Sequence, residues 1–306
     1  MQSDLISVND LNSRDIGEIF KLTDKLKKDK AGFASVLKGK TLALIFQKPS
    51  NRTRVSFEVG MFQLGGYSIY LRPDEINLGV RESIKDVAMT LSRYIDGIVI
   101  RTFEHKNVIE LAKYSDKPVI NGLSDFSHPC QALADIYTIK EKLKNMRGAT
   151  LAYVGDGNNV CNSLLFACAK VGMNIKVASP KGFEPDPAVL KEALVIAGPS
   201  GCKIKVSDSP EEAAQAADVI YTDVWTSMGQ EKEAKERREI FQAFQVNKKL
   251  VSLAKKNVLI MHCLPAHRGE EITDEVIDSA NSVVFDQAEN RMHVQKAILI
   301  KLIAGR

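Results

Sequence analysis

The sequence predicts an α/β fold: two doubly wound lobes, each on a parallel sheet, with a cleft between them and the C-terminal helix returning to the first lobe. Three observations predict it. Short apolar runs of strand length alternate with segments of helical spacing along most of the chain, as parallel pairing through helical crossovers requires. The alternation comes in two series, separated by one long helical stretch, "CQALADIYTIKEKLKNM". The 306 residues suffice for two domains with cores of their own.

The elements follow in order. Ile16, Ile19, Phe20, Leu22 and Leu26 recur at helical spacing behind an Asn/Ser start. "KTLALIFQK" is a short buried strand, and after the "PSNRTR" turn a helix runs to Leu64, where "GG" ends it. "SIYLR", "GIVIR" and "PVING" are strands, with the helices "ESIKDVAMTLSRY" and "NVIELAKYS" between them. The second series has the strands "TLAYVG", "NIKVASP", "KIKVS", "DVIYTDV" and "NVLIMH", then a last long helix, "QAENRMHVQKAILIKLI". The first domain is set at residues 1–138 with helix 288–306 packing back on it, the second at 139–287, and the hinge near 130–148.

Composition narrows the function class. Hydrophobic residues at 44% and charged residues at 26% describe a soluble globular chain. A net charge of +4, with acids interleaved among the bases, argues against nucleic acid and suits a small anionic substrate gathered in one cleft. Five cysteines without a C-x-x-C pair read as reduced thiols of a cytoplasmic protein. The N-terminus lacks an apolar signal core, and "AILIKLI" is too short to span a bilayer, so no membrane partner is expected.

In open α/β sheets ligands sit outside the carboxyl ends of the strands, and the polar motifs fall there. "KPSNRTRVSFE" joins a strand end to a helix start, where Ser50 is a natural N-cap and the free N–H groups after it make an anion cradle. Arg52 can fork two phosphate oxygens, and Thr53 adds a hydroxyl. The stretch is not a G-x-x-x-x-G-K-[ST] loop, so a nucleoside triphosphate is not implied. A capped helix with solvated arginines would look the same in isolation. Arg101 at a strand end, His128 and Gln131 at a helix start, and Arg291 near the start of the last helix add donors to the same lobe.

"KPSNRTRVSFE", "RTFEH", "HPCQALAD", "GDGNNV", "DVWTSMGQE" and "HCLPAHRGEE" occur in this order over most of the chain. Together they resemble the transcarbamoylase family, and within it the ornithine-using branch. The resemblance implies transfer of a carbamoyl group from carbamoyl phosphate to an amine. It puts Ser50, Asn51, Arg52 and Thr53 on the phosphate, Arg101, His128 and Gln131 around the carbamoyl group, and Arg291 over both. Asn51 stands where the family commonly has Thr. Asn77 stands where a bacterial relative supplies Gln from a neighbouring subunit. Arg54 is expected to hold structure.

The second substrate would be chosen by the other lobe. Aspartate-using relatives carry an arginine-rich loop and "HPLP", where this chain has Ser227-Met228-Gly229 and "HCLP". The resemblance implies an α-ammonium on Asp223, an α-carboxylate on Asn159 and the amides of the Ser227 loop, and an aliphatic stem against Met228. Cys263 and the Leu264 carbonyl, with Asp223, would orient the δ-amine of L-ornithine for direct attack. That amine titrates near a lysine, about 10.4, so selecting its neutral form at pH 7 costs about 4–5 kcal/mol. Arg101, Thr53 and His128 would stabilise the oxyanion, and Arg52 and Arg291 the departing phosphate. No cofactor and no metal is required. The family suggests a homotrimer or a multiple of trimers.

Other readings stay open at this point. "LAYVGDGNNV" resembles a dinucleotide crossover, although the G-x-G-x-x-G pattern breaks after its second Gly. A zinc enzyme would use His262, Cys263 and His267, without an H-E-x-x-H or a cysteine pair to support it. The same two lobes could serve a non-catalytic phosphate- or amino-acid-binding protein. Within the family, putrescine or an acylornithine is the alternative acceptor.

Overall fold

The computed structural model describes residues 3–226, 229 and 231–305. Among these residues nine strands form two sheets, and every strand pair is parallel. The chain divides into two compact units. One runs to Tyr137 and takes in the chain from Glu289 onward; the other is Thr138–Ala288.

The first unit contains β1 (Thr41–Phe46), β2 (Tyr67–Leu71), β3 (Gly97–Arg101) and β4 (Val119–Leu123), in the order β2-β1-β3-β4. β3 is buried throughout and β1 at all but its first residue, as central strands covered on both faces must be. Alternate residues Ala43, Ile45, Ile98 and Ile100 pack with Ile84, Val87, Val108 and Leu111 of the neighbouring helices. β4 is not left as a bare edge: the Leu5 N–H donates to Val119, and the Asn121 N–H donates to Leu5. The helix Ser13–Lys28 starts at a reciprocal cap between Asn12 and Asp15.

The second unit contains β5 (Thr150–Val154), β6 (Asn174–Ala178), β7 (Ile204–Ser207), β8 (Val219–Thr222) and β9 (Leu259–His262), in the order β7-β6-β5-β8-β9. Ala152, Val154, Ile220 and Ile260 pack with Ala213, Phe241, Phe244 and Val276 on one side of the sheet. Strand order reverses between β1 and β3, and again between β5 and β8. A doubly wound sheet opens a crevice at the carboxyl ends of such a pair.

The last helix starts earlier than its sequence pattern indicates. It spans Val284–Leu299 and passes into a wider turn over Ile300–Ala304, so Arg291 lies mid-helix and not near its start. Among the described residues no helix is long and apolar enough to cross a membrane.

Candidate functional site

In the first unit the chain leaves β1 at Phe46 and enters the helix Asn51–Gln63. Ser50 is extended, and its Oγ accepts the Thr53 N–H at 3.2 Å, so the residue is the predicted N-cap. The fully buried Thr53 side chain accepts from Arg291 Nη2 at 2.9 Å. One hydrogen bond therefore ties the helix start to the last helix. Arg101 ends β3 and is buried, and its carbonyl accepts the Gln47 N–H at 2.8 Å.

His128 shows that the cationic groups converge. It is buried just before the helix Pro129–Leu143, and burial pushes its imidazole well below the usual histidine range. The charges of Arg291, Arg101 and Arg52 push it the same way. Coulombic effects fall with distance, so the three guanidiniums are near enough to act on this one ring. An imidazole held that low carries no charge at neutral pH, which leaves the cationic charge to the arginines. Gln131 is buried on the same helix; its Nε2 donates to Asp135 at 2.8 Å, and its Oε1 has no hydrogen-bond partner. A buried acceptor left open among cations suits a small anion that also carries an N–H donor.

In the second unit the two turns at the switch point meet. Gly157 is needed in the first, because a Cβ there would lie 2.3 Å from the backbone N of Pro185. That close approach is a structural use of the glycine that sequence alone leaves open to a dinucleotide. Asn158 then caps the helix Asn159–Val171 through Oδ1 and donates from Nδ2 to Asp223 Oδ2 at 2.8 Å. Asp223 follows β8 and is 7% exposed. Its Oδ1 takes the Val224 N–H and the Cys263 thiol, each at 2.8 Å. Among the described residues no Lys or Arg side chain pairs with it. A buried carboxylate with three uncharged donors is an unfinished site for a cation.

Cys263 and Leu264 follow β9. Leu264 has φ 58° and a cis bond to Pro265, and its N–H donates to His262 Nδ1 at 2.8 Å. That bond leaves the His262 proton on Nε2, which lies 3.0 Å from Glu271 Oε1. Asp223, His262 and Cys263 present metal-ligand atoms within 4.8 Å of one another, but both His262 nitrogens are already engaged. His267 groups with Glu270 and Glu271 instead.

The other predicted residues fall as follows. Asn51 is exposed at the helix start. Asn77 is exposed in a left-handed conformation, and the backbone bonds it makes stay within its own loop. Arg54 pairs with Glu58 at 3.0 Å and lies over the Tyr70 ring at 3.8 Å, the structural role expected of it. Asn159 is half-buried in the first turn of its helix. Ser227 and Met228 lie outside the described residues.

Two residues beyond the sequence reading belong to this region. Asn158 carried a signal, since an Asn before an apolar helical run is a natural cap. Arg237 carried none. It forms an ion pair with Asp156, donates from Nε to the Trp225 carbonyl, and lies over the Phe183 ring at 4.7 Å. Burial raises the Asp156 carboxyl to about 6, even with Arg237 beside it.

Comparison with known proteins gives consistent matches. Models of the family described as aspartate/ornithine carbamoyltransferase match at residues 3–141 for its carbamoyl-P binding domain and at residues 147–302 for its Asp/Orn binding domain. An ornithine carbamoyltransferase of Thermococcus kodakarensis is 57% identical over 304 residues, covering 99% of this chain and 96% of that protein. A protein of Pyrococcus furiosus named as the anabolic ornithine carbamoyltransferase is 54% identical over 308 residues, covering 99% and 96%. The solved structure of ornithine carbamoyltransferase from Pyrococcus furiosus superposes with a TM-score of 0.96 at 55% identity, covering 99% and 97%. That from Gloeobacter violaceus gives 0.90 at 46% identity, covering 99% of each chain.

Proposed function

The chain belongs to the aspartate/ornithine carbamoyltransferase family, and from that premise we propose that it transfers the carbamoyl group of carbamoyl phosphate to the δ-amine of L-ornithine, giving L-citrulline and phosphate. The observation that carries the choice of acceptor is Asp223, buried and surrounded by uncharged donors. An amino-acid ammonium completes that site. The side-chain carboxylate of aspartate would be repelled by it.

Carbamoyl phosphate sits on the first unit. The backbone N–H groups of Asn51 and Arg52 and the hydroxyls of Ser50 and Thr53 take the phosphate with the Arg52 guanidinium, while Arg291 shares its charge. Arg101, Thr53 and neutral His128 polarise the carbonyl, and the open Gln131 Oε1 accepts from the carbamoyl amide. Asn77 is assigned to carbamoyl phosphate as well, by its match to the position where a bacterial relative has Gln. Ornithine sits on the second unit, with its α-ammonium at Asp223 and its α-carboxylate at Asn159 and Ser227. Met228 packs on its stem. Cys263 and the Leu264 carbonyl orient the δ-amine. Its lone pair attacks the carbamoyl carbon, the bond to the phosphate oxygen breaks with its electron pair going to phosphate, and the proton the amine loses passes to the departing phosphate. Cys263 forms no covalent bond.

The reaction serves arginine synthesis in the cytoplasm, a reading supported by the similarity to a relative named as anabolic. The five cysteines, all free, support a reducing compartment. The assembly is a homotrimer or a multiple of trimers; Phe62, Tyr67 and Val80, all strongly exposed on the first unit, support an interface between copies. The test of the reaction is phosphate release with each substrate alone and with both. Release that needs both substrates and matches citrulline one to one is expected. Release without ornithine, or none with both, contradicts the proposal.

A further inference from the structure

We propose that Asn158 is a positioning residue for the second-substrate site: its amide oxygen caps the Asn159–Val171 helix while its amide nitrogen holds the Asp223 carboxylate in the orientation that receives the substrate's α-ammonium. The inference rests on the reading of Asp223 given above and adds a residue to it.

The amide orientation is fixed by its neighbours. Asn158 Oδ1 accepts the N–H groups of Val160 at 2.9 Å and Cys161 at 3.2 Å, and the Tyr153 hydroxyl approaches it at 3.2 Å. Tyr153 is fully buried, and burial, with the Asp223 charge next, pushes its phenol well above the usual tyrosine range. Its hydroxyl proton goes to the Asp156 carbonyl at 2.9 Å, with Asn158 Oδ1 as the longer second acceptor. Two backbone N–H donors on one side oblige Nδ2 to point the other way, where Asp223 Oδ2 lies at 2.8 Å.

Capping alone does not require asparagine. Ser, Thr and Asp cap equally well, but the single hydroxyl of Ser or Thr sits on the capping atom itself and Asp has no donor, so none of them sets a separate N–H opposite the cap. The residue type is thus over-specified for the helix and matched to the carboxylate. Gly155, at φ 142°, and Gly157 form the turn that brings Asn158 from the end of β5 across to the end of β8.

The test uses Asn158→Ser and Asn158→Asp, both of which retain a cap acceptor. The first removes the donor to Asp223, and the second also sets a like charge against it. Expected are a rise of about tenfold in the KM for L-ornithine for Asn158→Ser and a larger rise for Asn158→Asp. The inhibition constant for L-norvaline, which keeps the α-ammonium and lacks the δ-amine, should rise in parallel. The dissociation constant for carbamoyl phosphate should stay at its wild-type value in both variants, while the thermal midpoint of Asn158→Ser falls modestly because Asp223 Oδ2 loses its amide donor. An unchanged ornithine KM in both variants overturns the proposal. So does an equal loss of affinity for both substrates in Asn158→Ser, which would make Asn158 a structural cap only. If the wild type forms no citrulline, the functional reading falls and this proposal with it; if the wild type does and the variants match it, only this proposal falls.

Discussion

Replacing Asp223 by Asn changes the second-substrate site with almost no change of volume, and the structure sets the size of the effect. The carboxylate is 7% exposed and holds three uncharged donors, so its charge is available to a bound ammonium. Losing a hydrogen bond between charged groups costs about 1.5–3 kcal/mol, or roughly ten- to a hundredfold in ornithine kcat/KM. A second cost follows from the neighbours. The new amide NH2 must face either Asn158 Nδ2 or the Val224 N–H and Cys263 thiol, all of them donors. One buried donor then goes unpaired, which lowers stability by about 1–3 kcal/mol and loosens the site further. The residues assigned to carbamoyl phosphate make no bond to Asp223, so affinity for that substrate should hold. The assay is citrulline formation with ornithine varied at saturating carbamoyl phosphate, beside equilibrium dialysis of carbamoyl phosphate. Wild-type ornithine kcat/KM in the variant, or an equal loss toward both substrates, would refute the reasoning.

Three further outcomes are expected. Arg52→Lys keeps the charge and loses the planar fork, so kcat/KM for carbamoyl phosphate should fall by about tenfold or more in steady-state kinetics. Asp156, raised to about 6 mainly by burial, contributes stability that is full below its ordinary value of 3.8 and is lost as pH rises through 6. Asp156→Asn should flatten the thermal midpoint against pH across that window. Exhaustive EDTA treatment should leave carbamoyl transfer intact, because Arg52, Arg101 and Arg291 supply positive charge where a metal would be repelled; loss of activity restored by Zn²⁺ would reverse this.

Much of the first half-site was legible because its signals are local. A strand running into Ser50 and an arginine-rich helix start announces a capped helix, which the Ser50–Thr53 hydrogen bond shows, and Arg101 is marked by its place at the end of an apolar run. Elements without competing signals kept their place, although "DVIYTDV" shortened to Val219–Thr222 and "ESIKDVAMTLSRY" to Ile84–Leu91. Arg237 stayed hidden for the opposite reason. In "KEAKERREI" it looks like one more charge on a solvated face, and its partner Asp156 lies 81 residues away. His262 was weighed only as a metal ligand, yet its role depends on two hydrogen bonds, one to Leu264 and one to Glu271. Of the pair Asn158 and Asn159, sequence spacing could not say which caps and which remains for a ligand; the hydrogen bonds to Val160, Cys161 and Asp223 decide it.

The most direct test of the account compares L-ornithine, putrescine and L-aspartate as acceptors, reading ureido-product formation at one saturating concentration of carbamoyl phosphate. Putrescine keeps the attacking amine and lacks the groups assigned to Asp223 and Asn159, and aspartate brings a second carboxylate to a site that holds one already. A site built for an α-ammonium and an α-carboxylate leaves buried polar atoms unmatched when they are missing. The account predicts that L-ornithine exceeds both by at least about a hundredfold in kcat/KM. Putrescine or aspartate equal to ornithine would contradict it.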